Sequence, residues 1–176
     1  MNGNTAVLSE QLASGAREIG AEVENIYLHG LDIQACDACD GCQSGGKGCV
    51  IGDDMQDIYP KLLSAAAIVI ATPVYWYSMT AQMKLCLDRW YALESGQDFE
   101  LKGKKLALLM VYGDSDLYSS GGITVIHTLE GSCRYTGMKF DSIVHGSAMD
   151  IGDAEKDPSL MDRAFQLGKK LAQSAD

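Results

Sequence analysis

Apolar and polar positions along the chain alternate between helical and strand periods and predict an ordered series of elements. Helical spacing predicts a helix over 5–20, ended by Gly20, and alternation predicts a strand over 22–28. Apolar runs predict strands at 67–71 and 106–111 that are buried on both faces, as in a parallel sheet. The other predicted elements are a helix capped by Asp53 or Asp54, a helix over 78–93 capped by Ser78, a helix through Ile123, Ile126, Leu129 and Cys133, a strand over 140–144, and a final helix starting at Asp157 and Pro158. Strands that alternate with helices indicate a doubly wound parallel sheet.

A short aromatic loop joins the 67–71 strand to the next predicted helix. Pro73 ends the strand because it has no N–H to donate, and Tyr75, Trp76 and Tyr77 follow it. Open α/β sheets bind their ligands at the carboxyl ends of strands, and three adjacent aromatic side chains suit a flat apolar ring such as a flavin. The alternative interpretation is that the three are ordinary core or dimer-interface residues.

The bulk properties predict one domain, residues 1–176, with enough length for a substantial core. No apolar run approaches the length of a membrane span and no signal peptide opens the chain, so we expect a cytoplasmic location and no membrane partner. A net charge of −10 argues against binding to nucleic acid or anionic membranes, since both depend on Lys and Arg contacts to phosphates.

Four cysteines follow one another at the spacing C-x2-C-x2-C-x6-C, at Cys36, Cys39, Cys42 and Cys49. Disulfides are rare in the cytosol, and closely spaced thiolates on a Gly-containing loop can instead bind zinc or an iron-sulfur cluster. Two consecutive gaps of two residues favour a cubane cluster, because one tight loop can then supply ligands to three irons. A cysteine-rich loop that holds no cluster, and a zinc site, remain as alternatives.

Several short motifs occur in an order that resembles the flavodoxin-like NAD(P)H-dependent FMN reductases, a family that also has an iron-sulfur flavoprotein branch. They are Gly3-Asn4-Thr5, the cysteine run, Asp53-Asp54-Met55, the segment from Pro73 to Ser78 with Lys84 and Asp88-Arg89, and Tyr112-Gly113-Asp114 with Gly121-Gly122. The resemblance covers nearly the whole chain. It implies a flavodoxin-like three-layer α/β/α fold in which FMN contacts Gly3, Asn4, Thr5, Pro73, Val74, Tyr75, Trp76, Tyr77, Ser78, Tyr112, Gly113, Gly121 and Gly122. A simpler interpretation of Gly121 and Gly122 is that they only let the next helix start tightly.

The function that the resemblance implies is FMN-dependent oxidoreduction. Reduced nicotinamide, NADH or NADPH, delivers hydride to the flavin, which passes electrons to a quinone, free flavin or metal centre, and no side chain is needed as a catalytic acid. The first alternative is an iron-sulfur flavoprotein with a [4Fe-4S] cluster on Cys36, Cys39, Cys42 and Cys49 that exchanges electrons with a ferredoxin-like protein. The second is a non-enzymatic zinc- or redox-sensing module. The resemblance also implies a homodimer or higher oligomer.

The predicted strands number four, whereas the flavodoxin-like arrangement has five in the order 2-1-3-4-5. The strand without a counterpart is the first, which lies inside the sheet. Its side chains would each contribute roughly 1.5–3 kcal/mol when buried, against about 5–15 kcal/mol of net stability for a whole domain. We therefore expect that the reading frame starts upstream or that the chain is a fragment; a strand donated by a neighbouring copy is a less favoured explanation. Cooperative unfolding of residues 1–176 with bound FMN would contradict this expectation.

Overall fold

The computed structural model describes residues 3–44, 48–95 and 98–173, over which helices alternate with parallel strands. The helices are α1 Asn4–Glu18, α2 Met55–Ser64, α3 Ala81–Asp88, α4 Gly122–Thr136 and α5 Pro158–Gln173, with short 3-10 turns at Leu28–Gly30 and Arg89–Leu93. The strands are β1 Ala67–Pro73, β2 Glu94–Ser95, β3 Asp98–Phe99, β4 Lys105–Tyr112 and β5 Lys139–Ser147. Strands β1, β4 and β5 form a parallel sheet in the order β1-β4-β5, and β2 pairs with β3 in an antiparallel ribbon that the sequence did not predict.

Strand β4 is the centre of the fold. It pairs with β1 on one side and β5 on the other, and every residue from Leu106 to Tyr112 is buried. Its alternate side chains enter two separate apolar clusters, one shared with α2, α3 and α4 and the other with α1 and α5. The predicted parallel sheet with helices on both faces is therefore confirmed, with β4 in its middle layer.

Helices α1 and α5 touch through two glycines. A Cβ added to Gly15 would overlap the carbonyl oxygen of Phe165, and one added to Gly168 would overlap that of Leu12. The two backbones therefore approach more closely than any larger side chain would allow. This contact holds α1 against the sheet, together with the apolar side chains that α1 shares with α5 and β4.

Several local predictions are confirmed. Gly20 adopts a φ of +91° after α1 and donates its N–H to Arg17 O, as a helix-ending glycine does. The carboxylate of Asp53 accepts a hydrogen bond from Met55 N at 3.1 Å, and that of Asp157 accepts one from Leu160 N at 3.0 Å, so both cap a helix. Lys84 and Asp88 form an ion pair on the surface of α3, with Nζ 2.6 Å from Oδ1.

The strand predicted over residues 22–28 is wrong. Among the described residues this segment pairs with no strand, and most of its side chains are exposed. It is held instead by side chains, since Asn25 bonds Glu10 of α1 and Glu24 pairs with Lys61 of α2. Alternation predicts which faces a strand would present, but a strand forms only where its backbone groups find a partner.

Two expectations for the neighbouring elements also need correction. Strand β1 is not fully buried on both faces, because Ala67, Val69 and Ala71, which share one face, are only half-buried. It is also an edge strand, since no strand of the described residues pairs with its second edge. The helix predicted over 78–93 is α3 followed by a 3-10 turn. Its cap is Thr80 rather than Ser78, because Ser78 is held in the preceding turn and Thr80 Oγ1 accepts a hydrogen bond from Met83 N.

No helix within the described ranges is both long enough and apolar enough to cross a membrane.

The α1–α5 contact leads to a prediction about stability. Gly168→Ala should lower the free energy of unfolding by about 1–3 kcal/mol, because the added methyl group would overlap backbone that cannot move without separating the helices. The matched control is Gly131→Ala, in α4, where an added Cβ meets nothing within 4 Å and Ala should stabilise the helix by about 1 kcal/mol. Chemical denaturation of both variants measures the difference, and equal stabilities would contradict the close approach.

Candidate flavin site and cysteine segment

The loops that follow β1, β4 and β5 leave the same edge of the sheet, because the three strands are parallel. The loops after β1 and β5 begin with residues that bond to the end of β4. Val74 N donates to Val111 O at 2.8 Å, and Ala148 N donates to Tyr112 O at 2.8 Å. We call the residues 3–5, 73–78, 112–122 and 148–154 the rim. Open parallel sheets place ligands at this carboxyl edge.

Asn4 joins the N-terminus of α1 to this edge. Its side-chain Nδ2 donates to Ala148 O and Asp150 O, and its Oδ1 accepts from Gly152 N and Ala154 N, at 2.8 to 3.2 Å. All of the side chain's hydrogen-bonding capacity is therefore used inside the protein. Any contact between Asn4 and a ligand would have to come from its backbone N–H.

The aromatic loop is a tight turn with an unusual backbone. Tyr75 and Ser78 exchange two backbone hydrogen bonds, of 2.8 and 3.1 Å, around Trp76 and Tyr77. The two central residues have φ angles of +48° and +65°, which is the left-handed region that two-residue turns normally fill with Asn or Gly. Bulky aromatic residues are disfavoured there, and strain of this kind is concentrated at functional sites.

The buried hydroxyl of Thr72 fixes the two ends of this aromatic segment. Thr72 Oγ1 donates to Pro73 O at 2.9 Å and accepts from Thr80 N at 3.2 Å. The segment thus leaves β1 and enters α3 at fixed points.

The aromatic turn lies directly against the loop that follows β4. A Cβ added to Gly121, whose φ is +81°, would lie 2.5 Å from Tyr77 Cα. At the other end of the same loop, a Cβ on Gly113 would overlap Met149 Sδ. The loop itself is ordered by Asp116, which accepts backbone hydrogen bonds from Tyr118 and Ser119 at 2.7 and 3.0 Å. The predicted residues 73–78, 112–113 and 121–122 are therefore brought together.

The rim exposes large apolar side chains to solvent. Trp76 is 94% exposed, and Tyr75, Tyr77, Tyr118, Met149 and Ile151 are each more than 60% exposed. The interpretation of the aromatic triplet as core is therefore wrong. Met149 and Ile151 were missed by sequence reasoning, although their position just after a parallel strand was a usable signal.

The rim fits the chemistry of FMN. The first backbone N–H groups of α1 have no acceptor within the helix, and such a helix end binds phosphate. The preceding Gly3 is extended, and a Cβ added to it would meet nothing within 4 Å, so its backbone can be approached closely. The exposed aromatic turn offers an apolar surface for a flat ring.

The segment that carries the four cysteines, residues 34–51, contacts a different part of the molecule. We call it the cysteine segment. Arg89 Nη2 donates to Cys49 Sγ at 3.2 Å, and Gln43 Nε2 donates to Tyr91 O at 3.2 Å. These contacts lie at the end of α3, whereas the aromatic turn precedes its start, and eight helical residues separate the two by about 12 Å.

The cysteines provide a suitable donor set without a preformed metal site. Cys36 and Cys39 are exposed, Cys42 and Cys49 are half-buried, and all four are free thiols. Within the part of the chain that is described, no three His, Cys, Asp or Glu side chains come together as a metal site, so the sulfur atoms would have to converge on binding. The other two cysteines, Cys86 and Cys133, are buried in helices, and burial raises the pKa of each to about 11.

Comparison with known proteins decides the family. Residues 1–139 match the NADPH-dependent FMN reductases. The chain belongs to the NADPH-dependent FMN reductase family. It is accordingly an FMN-dependent oxidoreductase that uses NAD(P)H, as its resemblance to that family implied.

Individual relatives of this FMN reductase include both predicted branches. A Bacillus subtilis protein named as an NAD(P)H-dependent FMN-containing oxidoreductase is 28% identical over 173 residues, which cover 96% of this chain and 91% of that one. An iron-sulfur flavoprotein of Methanocaldococcus jannaschii is 30% identical over 177 residues, which cover 97% and 90%. Among solved structures, the NAD(P)H:quinone oxidoreductase of Methanothermobacter marburgensis aligns with a TM-score of 0.71 at 17% identity, covering 96% of this chain and 88% of that one, and this likeness concerns the fold alone.

The strained turn of this FMN reductase leads to a prediction. Trp76→Asn should raise the free energy of unfolding of the FMN-free protein by about 0.5–1 kcal/mol, because Asn adopts the left-handed region more readily and the lost side chain is almost fully exposed. It should also weaken FMN binding, since the ring surface is removed. The control is Trp76→Ala, which also removes the ring. Unlike Asn, Ala does not adopt the left-handed backbone conformation readily, so the strain at this position remains. Denaturation and flavin fluorescence titration measure the two effects, and unchanged FMN affinity in both variants would exclude Trp76 from the site.

Proposed function

We propose that FMN binds along the rim, with its phosphate at the N-terminus of α1 and its ring against the aromatic turn and the loop 113–121. The observation that carries this proposal is the contact between Gly121 and Tyr77, which joins two loops in strained or left-handed backbone at the ligand-binding edge of the sheet. Such strain persists only where the surrounding structure imposes it. The FMN-contacting residues are then those at 3–5, 73–78, 112–113 and 121–122.

The chain's part in the reaction is to bind and orient. FMN, when bound, takes hydride from NAD(P)H and supplies electrons to an acceptor, for which we propose a quinone, free flavin or metal centre. The first-turn N–H groups of α1 would donate hydrogen bonds to the phosphate, and the helix dipole would stabilise its negative charge. The exposed rings at 75–77 would pack against the flavin and exclude water there.

We further propose that the protein acts as a homodimer or higher oligomer in the cytoplasm. The support is the set of exposed apolar side chains on the rim, because patches of this kind on a protein surface mark interaction sites. Light scattering of the FMN-bound protein would show a monomer if this proposal were wrong.

The proposed FMN site predicts a difference between two glycine variants. Gly121→Ala should reduce FMN affinity at least about tenfold and reduce NADPH oxidation with it, because its methyl group would displace Tyr77. Gly103→Ala is the matched control, since Gly103 has an almost identical φ of +83° while an added Cβ meets nothing within 4 Å. Both variants should lose similar stability from the backbone, about 1 kcal/mol. FMN affinity that falls equally in both variants would contradict the proposed site.

A second candidate function is that of an iron-sulfur flavoprotein. Its support is the cysteine segment, which is anchored in the described structure by Arg89, together with the similarity to the Methanocaldococcus jannaschii protein. In this function Cys36, Cys39, Cys42 and Cys49 would hold a [4Fe-4S] cluster, whose chemistry is one-electron transfer, and the partner would be a ferredoxin-like protein. A third possibility, a zinc- or redox-sensing module, would use the same four thiols for zinc.

Metal analysis of protein purified without oxygen distinguishes these functions. The iron-sulfur flavoprotein should contain about four irons and four labile sulfides per chain, with a broad visible shoulder beside the flavin bands. Flavin bands without iron would leave the FMN reductase alone, and a colourless protein with bound zinc would favour the third function.

A further inference from the structure

The guanidinium group of Arg89 contacts both ends of the cysteine segment. On the side before Cys36, Arg89 Nη1 donates to Gln34 O at 3.0 Å. On the side after the last cysteine, Arg89 Nη2 donates to Ile51 O at 3.4 Å and to Cys49 Sγ at 3.2 Å. A single side chain therefore closes a loop of chain that carries all four thiols.

Asp53 holds this guanidinium in place. Its carboxylate lies 2.5 Å from Arg89 Nη1 and 3.2 Å from Nη2, and it also accepts the N–H of Gln34 at 2.9 Å. Both side chains of the pair are fully buried. Burial opposes the charge on Asp53, but the hydrogen bonds from Arg89 and from backbone N–H groups outweigh it and keep the pKa of this carboxyl below its usual range.

A buried ion pair of this kind is weak evidence for stability alone. The cost of removing both charges from water can exceed their attraction, and apolar side chains often hold helices equally well. Arg89 directs three of its hydrogen bonds to the segment 34–51, and its other two go to Asp53, which itself bonds Gln34 N. Most of the hydrogen bonds from the guanidinium group therefore hold the cysteine segment, and they do not join one helix to another.

Gln56 supports the same end of the segment from the surface. Its Nε2 donates to Cys49 O at 3.0 Å and to Ile51 O at 2.6 Å. Cys49 is therefore held at its sulfur by Arg89 and at its carbonyl by Gln56. No other cysteine of the run is held at both its sulfur and its carbonyl among the described residues.

We propose that Arg89 is the positioning residue of the cysteine segment, which fixes Cys49 and brings the two ends of the segment together so that the four thiols can converge on a soft metal centre. This proposal rests on the second candidate function. Arginine is suited to the role because its planar fork reaches several acceptors at once, which a lysine ammonium cannot do in the same geometry. Residues that orient metal ligands typically change metal affinity by about 10–100-fold when mutated.

Titration of the reduced full chain with Co²⁺ tests the proposal. Thiolate ligands give Co²⁺ charge-transfer bands whose intensity counts the sulfur atoms bound, so affinity and ligand number are read together. We expect bands for four thiolates in the unmodified protein. In Arg89→Lys the affinity should fall about 10–100-fold and the intensity should drop to that of three thiolates, because Cys49 is released. FMN affinity should be unchanged, since no hydrogen bond among the described residues joins the rim to this segment.

Two further variants keep the test decisive. Arg134→Lys makes the same substitution at an exposed position in the last turn of α4 and should leave Co²⁺ binding unchanged. Gln56→Ala removes the second contact to Cys49 without unpairing a buried charge, and it should weaken Co²⁺ binding several-fold in a protein that still folds. If Arg89→Lys fails to fold, Gln56→Ala decides the question: weaker binding supports the proposal and unchanged binding overturns it.

The outcomes separate this proposal from the function on which it rests. Full four-thiolate bands in both the unmodified protein and Arg89→Lys would overturn the positioning role and leave the iron-sulfur function standing. Absence of thiolate bands from the unmodified protein would overturn the positioning role, and the iron and sulfide content of protein purified without oxygen would decide the iron-sulfur function separately. Equal weakening in Arg89→Lys and Arg134→Lys would also overturn the positioning role.

Discussion

The pairing of β4 on both of its edges is the constraint on which the rest of the structure depends. A strand buried on both faces can satisfy its backbone groups only through neighbouring strands, so β1 and β5 must lie beside it. Its side chains then divide between two cores, and these determine where the helices pack. The last two carbonyl groups of β4 also receive Val74 N and Ala148 N, which sets the starting points of two rim loops. The same ladder thus organises both the core and the ligand-binding edge.

Sequence periodicity identified the strands and helices that pack in the core. It failed where an element also needs a neighbouring strand or a distant hydrogen-bond partner that the pattern does not reveal. The apolar run at 106–111 identified β4, and the pair Asp157 and Pro158 identified the start of α5. Residues 22–28 have an equally good alternation, but they lack a neighbouring strand among the described residues and form none. Local chemistry misled in a similar way at Ser78, which resembles a helix cap but belongs to the aromatic turn.

The candidate site was predictable in its position but not in its construction. The rule that ligands bind at carboxyl ends of parallel strands located residues 73–78 and 112–122. It did not reveal that the side chain of Asn4 forms its hydrogen bonds with the loop 148–154, because those bonds join residues nearly 150 positions apart. Nor did the sequence show that Arg89 reaches the cysteine segment, since a long side chain at the end of a helix is usually solvated. Contacts distant in sequence, between side chains and backbone, carry no periodic signal.

The bonds between Asn4 and residues 148–154, and the contact of α1 with α5, have a consequence for biosynthesis. Helix α1 meets these partners only after roughly 150 further residues have been synthesised, because Asn4 bonds Ala148 and Ala154, which follow it by 144 and 150 positions. At about 5–20 residues per second this takes about 8–30 seconds, during which Leu8 and Leu12 lack the part of their core that α5 supplies. The N-terminus of α1, where we propose that the FMN phosphate binds, is therefore expected to reach its final structure only after the loop 148–154 has been synthesised.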